Sequence, residues 1–424
     1  MSDNQRVKPV YDLYQRPPFW TWLGLSFQHL FSMFGATILV PLLVGLNPGV
    51  ALFSSGIGTL LHLLITRGKV PAYMGSSFAF IVPMTSLMKT VGYPAVAQGV
   101  ISVGLVYLVV ALIITFTGTG WLDKIFPPAV VGPIIMVIGL SLAGSAANSA
   151  TMLNGHYDIR VFIVALLTLL ATIFFNMFLK GFWGLLPVLL GIIFGYLLAL
   201  VVGLVDLAPV AAAHWWQLPS FETFIGPHGF HWYPVAILSM APIALVTMSE
   251  HLGHLMVLSK ITGHDFFKNP GLKRTLTGDG AASIAAGLVG GPAVTSYGEN
   301  IGVMQLSRVY SVWVIGGAAL FAVLFSFVGK LSALIATVPG AVIGGVGFML
   351  YGVIAAAGLQ VIVDHHVDYS KKRNLMIAAP ILVVGIGNFH WQLSSQVDFS
   401  GVALATVLGI ILNLVLPQKA ASER

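Results

Sequence analysis

In this chain of 424 residues, 57% are hydrophobic and 8% charged, and the mean hydropathy of +0.92 is far too high for a soluble domain. The net charge of +6 comes from basic residues lying between apolar runs, so it does not describe a nucleic-acid surface. Zero cysteines exclude a disulfide framework and a thiolate nucleophile.

The first 18 residues are polar, with Arg6, Lys8 and Arg16, and do not read as a cleavable signal peptide. From Trp20 to Leu416, apolar runs long enough to cross a ~30 Å hydrocarbon core recur. Hydropathy and helix breakers predict fourteen spans: 19–44, 47–66, 71–88, 93–117, 126–146, 159–179, 182–204, 232–257, 275–290, 292–307, 309–328, 332–359, 374–389 and 399–416. Of the 20 Lys and Arg, only Lys89, Arg160 and Lys330 then fall on the side opposite the N-terminus, which places both termini in the cytoplasm. The expected class is an all-α polytopic membrane protein of the bacterial inner membrane.

Short internal matches recur in one order. "SFQHLFSMFG" (26–35) matches "MSEHLGHLMV" (248–257), which sets Gln28 and His29 on Glu250 and His251 at a shift of 222. The same shift carries "YMGSSFAF" (73–80) onto "TSYGENIG" (295–302) and Ser77 onto Glu299, while "PPAVVG" (127–132) falls on "PGAVIG" (339–344). Two halves of seven spans must have opposite orientations, which is an inverted repeat. Spans three and ten are short and punctuated, by Pro71, Gly75, Ser76, Ser77 and Pro83 in one and Gly291, Pro292, Ser296 and Gly298 in the other. Each is expected to contain a short extended strand followed by a half-helix. Such backbone is tolerated in a membrane only where protein or a ligand satisfies it.

Of the 14 acidic residues, only Glu250, Asp279 and Glu299 fall within spans. An ionisable group there costs at least ~2.5 kcal/mol, so each is a functional candidate. Burial favours the neutral acid and makes a protonatable state accessible. Glu250 and His254 are i,i+4 on one helix face. The order Glu-His-x-x-His lacks the histidine spacing of the zinc-protease motif, so no metal is expected. His251, about 100° around the helix from Glu250, reads as structural, as does its repeat mate His29. Asp279 lies near a span end, where capping or a helix contact competes with substrate work, and His62 reads as packed or snorkelling. No nucleophile–base–orienter set appears, so an enzyme is not expected.

At these residues the chain resembles the nucleobase/ascorbate transporter family, closest to its uracil:proton symporter branch. "GENIGVMQLSR" (298–308) is similar to the family signature, with Ser307 where threonine is usual. Gln28-His29, "GSSFAF" (75–80), "EHLGHL" (250–255), "TGTGWLD" (117–123) and "RVYSVWVIGGAA" (308–319) carry the likeness along essentially the whole chain. The resemblance implies a cytoplasmic tail (1–18), a core domain of spans 1–4 and 8–11 (19–117 and 232–328), and a gate domain of spans 5–7 and 12–14 (118–204 and 329–416). An extracytoplasmic loop (205–231) and a second cytoplasmic tail (417–424) complete it.

It also implies proton-coupled uracil uptake, with Glu250 on the ring edge and Glu299 holding the pocket from span ten. Backbone groups of Phe78 and Gly298, the rings of Tyr297 and Phe78, and Ser77 would complete the pocket. His254 would join Glu250 and Glu299 in proton coupling, with Gln28, His29, Asn300 and Asp279 in support. A homodimer through the gate domain is implied, and no cofactor. Three alternatives stay open: a purine or xanthine symporter on the same scaffold, an anion transporter of this architecture, and sodium coupling through Glu299, Thr295 and Ser296.

Overall fold

A computed structural model describes residues 8–417, apart from 227–228, 388, 390, 395–396 and 400. Most of the two expected tails, 1–7 and 418–424, lies outside the described residues.

The chain opens with α1 (Phe19–Val44), which ends where Gly45 turns left-handed, φ 87°, and donates its N–H back to Pro41 O. Asn47 then caps α2 (Pro48–Ile65), its Oδ1 accepting from the N–H groups of Gly49 and Val50 at 2.8 and 3.2 Å. The expected interruption of span three is present: strand β1 (Met74–Ser76), a turn at Phe78–Phe80, then α3 (Ile81–Thr90). The long α4 (Tyr93–Thr117) and the short α5 (Leu122–Ile125) follow.

The region read as one span at 126–146 is two helices, α6 (Pro128–Ser141) and α7 (Ala143–Thr151), with a break at Leu142. A small hairpin (β2 Met152–Leu153, β3 His156–Tyr157) leads to α8 (Ile159–Phe178), capped by Asp158, and then to α9 (Pro187–Val201) and a short α10 (Ala208–Ala212).

The second half contains α11 (Pro234–Thr262), α12 (Leu272–Val289), strand β4 (Val294–Ser296), α13 (Gly298–Ser307) and α14 (Val312–Ser326). A further short helix, α15 (Gly329–Ala336), precedes α16 (Gly340–Asp364), so the span expected to begin at 332 begins after Pro339. The fold closes with α17 (Lys372–Ile386), strands β5 (Trp391–Ser394) and β6 (Val397–Phe399), and α18 (Gly401–Val415).

Among the described residues, seven helical stretches are long and apolar enough to cross a membrane: α1, α2, α4, α6–α7, α8, α11 and α16. The α12 helix does not qualify, because Lys273, Arg274 and Asp279 are charged and Gly, Ala, Ser and Thr replace large apolar side chains. Those small residues let it pack closely between α2 and α4, and α14 and α1 complete the same bundle. A second bundle forms around α16, with α6, α7 and α8 against it and α17 and α18 against α6.

The strands β1 and β4 pair antiparallel in the first bundle, Met74 opposite Ser296, Gly75 opposite Thr295 and Ser76 opposite Val294. Bonds just outside the ladder extend it: Ser77 N–H donates to Ala293 O and Tyr297 N–H to Tyr73 O, both at 2.9 Å. Exchanging the strands carries Ser77 to Tyr297 and Tyr73 to Ala293, an offset of 220. The short sequence matches had suggested 222, with Ser77 on Glu299.

Candidate functional site

The strand pair leaves two half-helices starting side by side. The chain leaves β1 through Ser77 into the turn at Phe78, and leaves β4 through Tyr297 into α13, with Gly298 and Glu299 in its first turn. No acceptor for the N–H of Phe78 or Gly298 appears among the described residues. A helix start offers such donors to a ligand.

The α11 helix crosses this point and brings Glu250 and His254. Glu250 and Glu299 are exposed, while their chain neighbours His251 and Asn300 are fully buried. Both lie where α11 packs against α13. Neither makes a hydrogen bond to another side chain among the described residues. His254 is half-buried, with Nδ1 3.1 Å from Ser296 Oγ. Its Nε2 lies over Gly298, 3.0 Å from where a Cβ on that residue would sit. Phe78 is half-buried on the facing turn, which packs against α11. Glu250, His254, Phe78, Gly298 and Glu299 are thus carried by elements that meet at one place, α11 packing on the turn at Phe78, on β4 and on α13.

The other expected site residues sit around it. Tyr297 is buried, and its hydroxyl donates to Ser76 O at 2.8 Å and lies 3.4 Å from Thr37 Oγ1 of α1. Its ring covers Gly75, where a Cβ would lie 2.4 Å from ring carbons, so Tyr297 braces the strand pair. Ser77 is buried and joins through its backbone. Asn300 Nδ2 donates to His29 O at 3.0 Å and lies 3.1 Å from His29 Nδ1, which ties α13 to α1. Gln28, on the same helix as His29, is largely buried. Thr295 Oγ1 and Ser76 Oγ are buried without partners among the described residues.

Among the described residues, Asp279 caps no helix end. Its carboxylate lies within ion-pair distance of two imidazoles, His62 Nδ1 at 3.0 Å and His251 Nδ1 at 2.8 Å, all three side chains being shut off from solvent. His62 does not snorkel; it is fully buried. Two large clefts lie elsewhere, at helix ends: one of about 750 Å³ beside Lys260, His264 and Arg308, and one of about 340 Å³ beside Asn47, Gln217 and Ser332. No cluster of three metal-ligating side chains occurs among the described residues.

Residues 21–394 match the Permease family (Xan_ur_permease). The chain belongs to that family. It is an integral, multi-pass membrane transporter, not an enzyme. The uracil permease of Bacillus subtilis (strain 168) is 52% identical over 411 residues, covering 95% of this chain and 94% of that one. The uracil permease of Escherichia coli (strain K12) is 45% identical over 404 residues, covering 95% and 92%. In fold, the chain is similar to the transmembrane domain of the cyanobacterial bicarbonate transporter BicA, with TM-score 0.61 at 15% identity over 95% of this chain and 100% of that one. It is also similar to SLC26A9, with TM-score 0.70 at 11% identity over 93% and 64%.

Proposed function

We propose that this permease takes up uracil across the bacterial cytoplasmic membrane, coupled to protons. The observation that carries the reading is that α11, the Phe78 turn and the start of α13 bring together two carboxyls and two backbone N–H groups without partners among the described residues, an imidazole and an aromatic ring. Uracil is a flat ring with two N–H donors and two carbonyl acceptors. Carboxyls accept from its N–H groups, backbone amides at Phe78 and Gly298 donate to its carbonyls, and the Phe78 ring covers a face. The high identity to uracil permeases supports uracil over xanthine.

Transport follows from moving this site between two accesses. The bundle carrying it (α1–α4 and α11–α14) acts as the core, and the bundle around α16 acts as the gate. The two-fold exchange of β1 and β4 supports a 7+7 inverted repeat of fourteen spans, with both termini cytoplasmic. A charged carboxylate is costly to carry between accesses and cheaper once protonated. Glu250 takes a proton outside, binds uracil, and releases both inside, with His254 one turn away and Glu299 facing it. Gate domains pair two copies into a dimer.

Calorimetry with uracil, thymine and xanthine on purified protein tests the substrate. Uracil is expected to bind most tightly. Preference for xanthine would transfer the scaffold to the purine reading, and binding of bicarbonate without any nucleobase would transfer it to the anion reading.

A further inference from the structure

The chain passes between the two bundles from α4 to α6, from α9 to α11 and from α14 to α16, and the last two of these passages meet. Trp216 pairs antiparallel with Val328, Gln217 N–H donates to Phe327 O at 2.9 Å, and Gly329 N–H donates to Trp215 O at 3.1 Å. Lys330 Nζ donates to Val210 O at 3.0 Å and lies 5.7 Å from the centre of the Trp215 ring. A Cβ on Gly329 would lie 2.5 Å from His214 O, so this close approach requires glycine.

The joined passages rest on the core. The α15 helix packs on α2 and α14 as well as on α10. Phe53 of α2 meets the rings of Phe221 and Phe327 edge-on, with centres 5.0 and 6.0 Å apart. A Cβ on Gly49 of α2 would lie 2.6 Å from Ser332 Oγ, and one on Gly290, at the end of α12, 2.7 Å from the backbone nitrogen of Glu222. At both glycines the neighbour sits where a side chain would be, a fit that is lost if the piece slides. Toward the gate the chain offers two bends. The α9 helix, which packs on α8 and α16, ends at Gly203, with Leu204 N–H returning to Ala199 O at 2.9 Å. Val205 and Asp206 then lead to α10 and make no backbone hydrogen bond among the described residues. At the other passage Thr337 stays with α15, its Oγ1 donating to Leu334 O at 2.8 Å, and Val338–Pro339 join it to α16. The Tyr196 hydroxyl of α9 lies 2.8 Å from the same Thr337 Oγ1.

We propose that residues 207–222 and 327–337 form one clasp that travels with the core, so that a change of access bends the chain at Val205–Asp206 and Val338–Pro339. The Tyr196–Thr337 hydrogen bond, which runs from the gate to the clasp, is made in this access and broken in the other. The proposal rests on the reading that core and gate move against each other. Connections between moving bodies bend at a few loop or element-end residues, and these two bends are where backbone bonding stops. Within the clasp neither passage shifts alone without leaving N–H and C=O groups unpaired.

The chain has no cysteine, so pairs can be introduced cleanly. Trp216 and Val328 form a non-hydrogen-bonded antiparallel pair, whose Cα atoms lie about 4.5 Å apart, a distance that a disulfide spans. Trp216→Cys with Val328→Cys, oxidised in proteoliposomes, should take up uracil as its reduced form does. Tyr196→Cys with Thr337→Cys, bridged by a short bifunctional thiol reagent, should lose uptake and keep uracil binding. Loss of uptake on closing the first pair, or full uptake with the second pair tethered, would overturn the proposal. Hydrogen exchange on the native protein needs neither variant nor substrate. The amides of Gln217 and Gly329 should exchange slowly and together, and those of Val205 and Asp206 quickly. Gln217 and Gly329 exchanging as fast as Val205 would also overturn the clasp. A native protein that takes up no uracil, with these amides protected, would instead remove the uracil reading and leave the clasp standing.

Discussion

Replacing Gly75 by Ala puts one methyl into the tightest contact of the site. The new Cβ would lie 2.4 Å from Cε2 and Cζ of Tyr297 and 2.8 Å from its hydroxyl. Carbon atoms rest at about 3.5–4.0 Å, so the ring must retreat by roughly 1 Å. Overpacking of this kind costs about 1–3 kcal/mol. Retreat also breaks the 2.8 Å bond from the Tyr297 hydroxyl to Ser76 O, worth about 0.5–1.5 kcal/mol. Tyr297 immediately precedes Gly298 and Glu299, so its displacement moves the start of α13 away from Glu250. If most of the strain falls on the site, uracil affinity drops by about 10- to 100-fold, at ~1.4 kcal/mol per tenfold. Calorimetry on Gly75→Ala and Tyr297→Ala, singly and together, reads the effect. The double variant should lose much less than the sum, because removing the ring removes the clash. Native affinity in a folded Gly75→Ala protein would refute this account of the strand pair.

Glu250→Gln should lose about 1–3 kcal/mol of binding, since an amide cannot accept through both positions and leaves a polar group unpaired; calorimetry checks it. Asp158 caps α8 and accepts from the Arg160 side chain at 2.7 Å and backbone at 2.8 Å; the Arg160 side-chain bond first, and then the backbone bond, hold its carboxyl below the usual range. A depressed carboxyl stabilises the fold when ionised, so Asp158→Ala should lower the melting temperature at pH 7. The gap should close as pH falls below the ordinary carboxylate range, and a gap that widens in acid would count against the cap. In this cysteine-free chain, single cysteines at Val353 and Leu359 on the exposed face of α16 should cross-link two copies if gate domains pair. Monomers at both positions would count against the dimer.

The interrupted spans were legible because Gly, Pro and Ser punctuate residues 71–77 and 291–298, where a continuous helix would be weakest. Glu250 and His254 were legible as a pair because i,i+4 spacing holds wherever the helix packs. The Asp279 triad was not. His62 and Asp279 are far apart in sequence, and their contact depends on α2 meeting α12 across Gly278, which no local pattern reports. One signal was available: His62 and Asp279 are both ionisable groups inside small-residue spans, and each needs a partner. The place of Tyr297 was equally hidden. An aromatic before the acid suits a ligand ring as well as a bare glycine, and only the strand register aims it at Gly75.

Uptake of labelled uracil into proteoliposomes under an imposed inward pH gradient, with sodium absent, tests the central claim most directly. Each proton carried gains ~2.3 kcal/mol per 100 mV, roughly a forty-fold concentration ratio when transferred to a neutral substrate. Accumulation of uracil above equilibrium, abolished by a protonophore, is the predicted result. Uptake that requires sodium and ignores the pH gradient, or no accumulation of uracil by protein that binds it, would contradict the account.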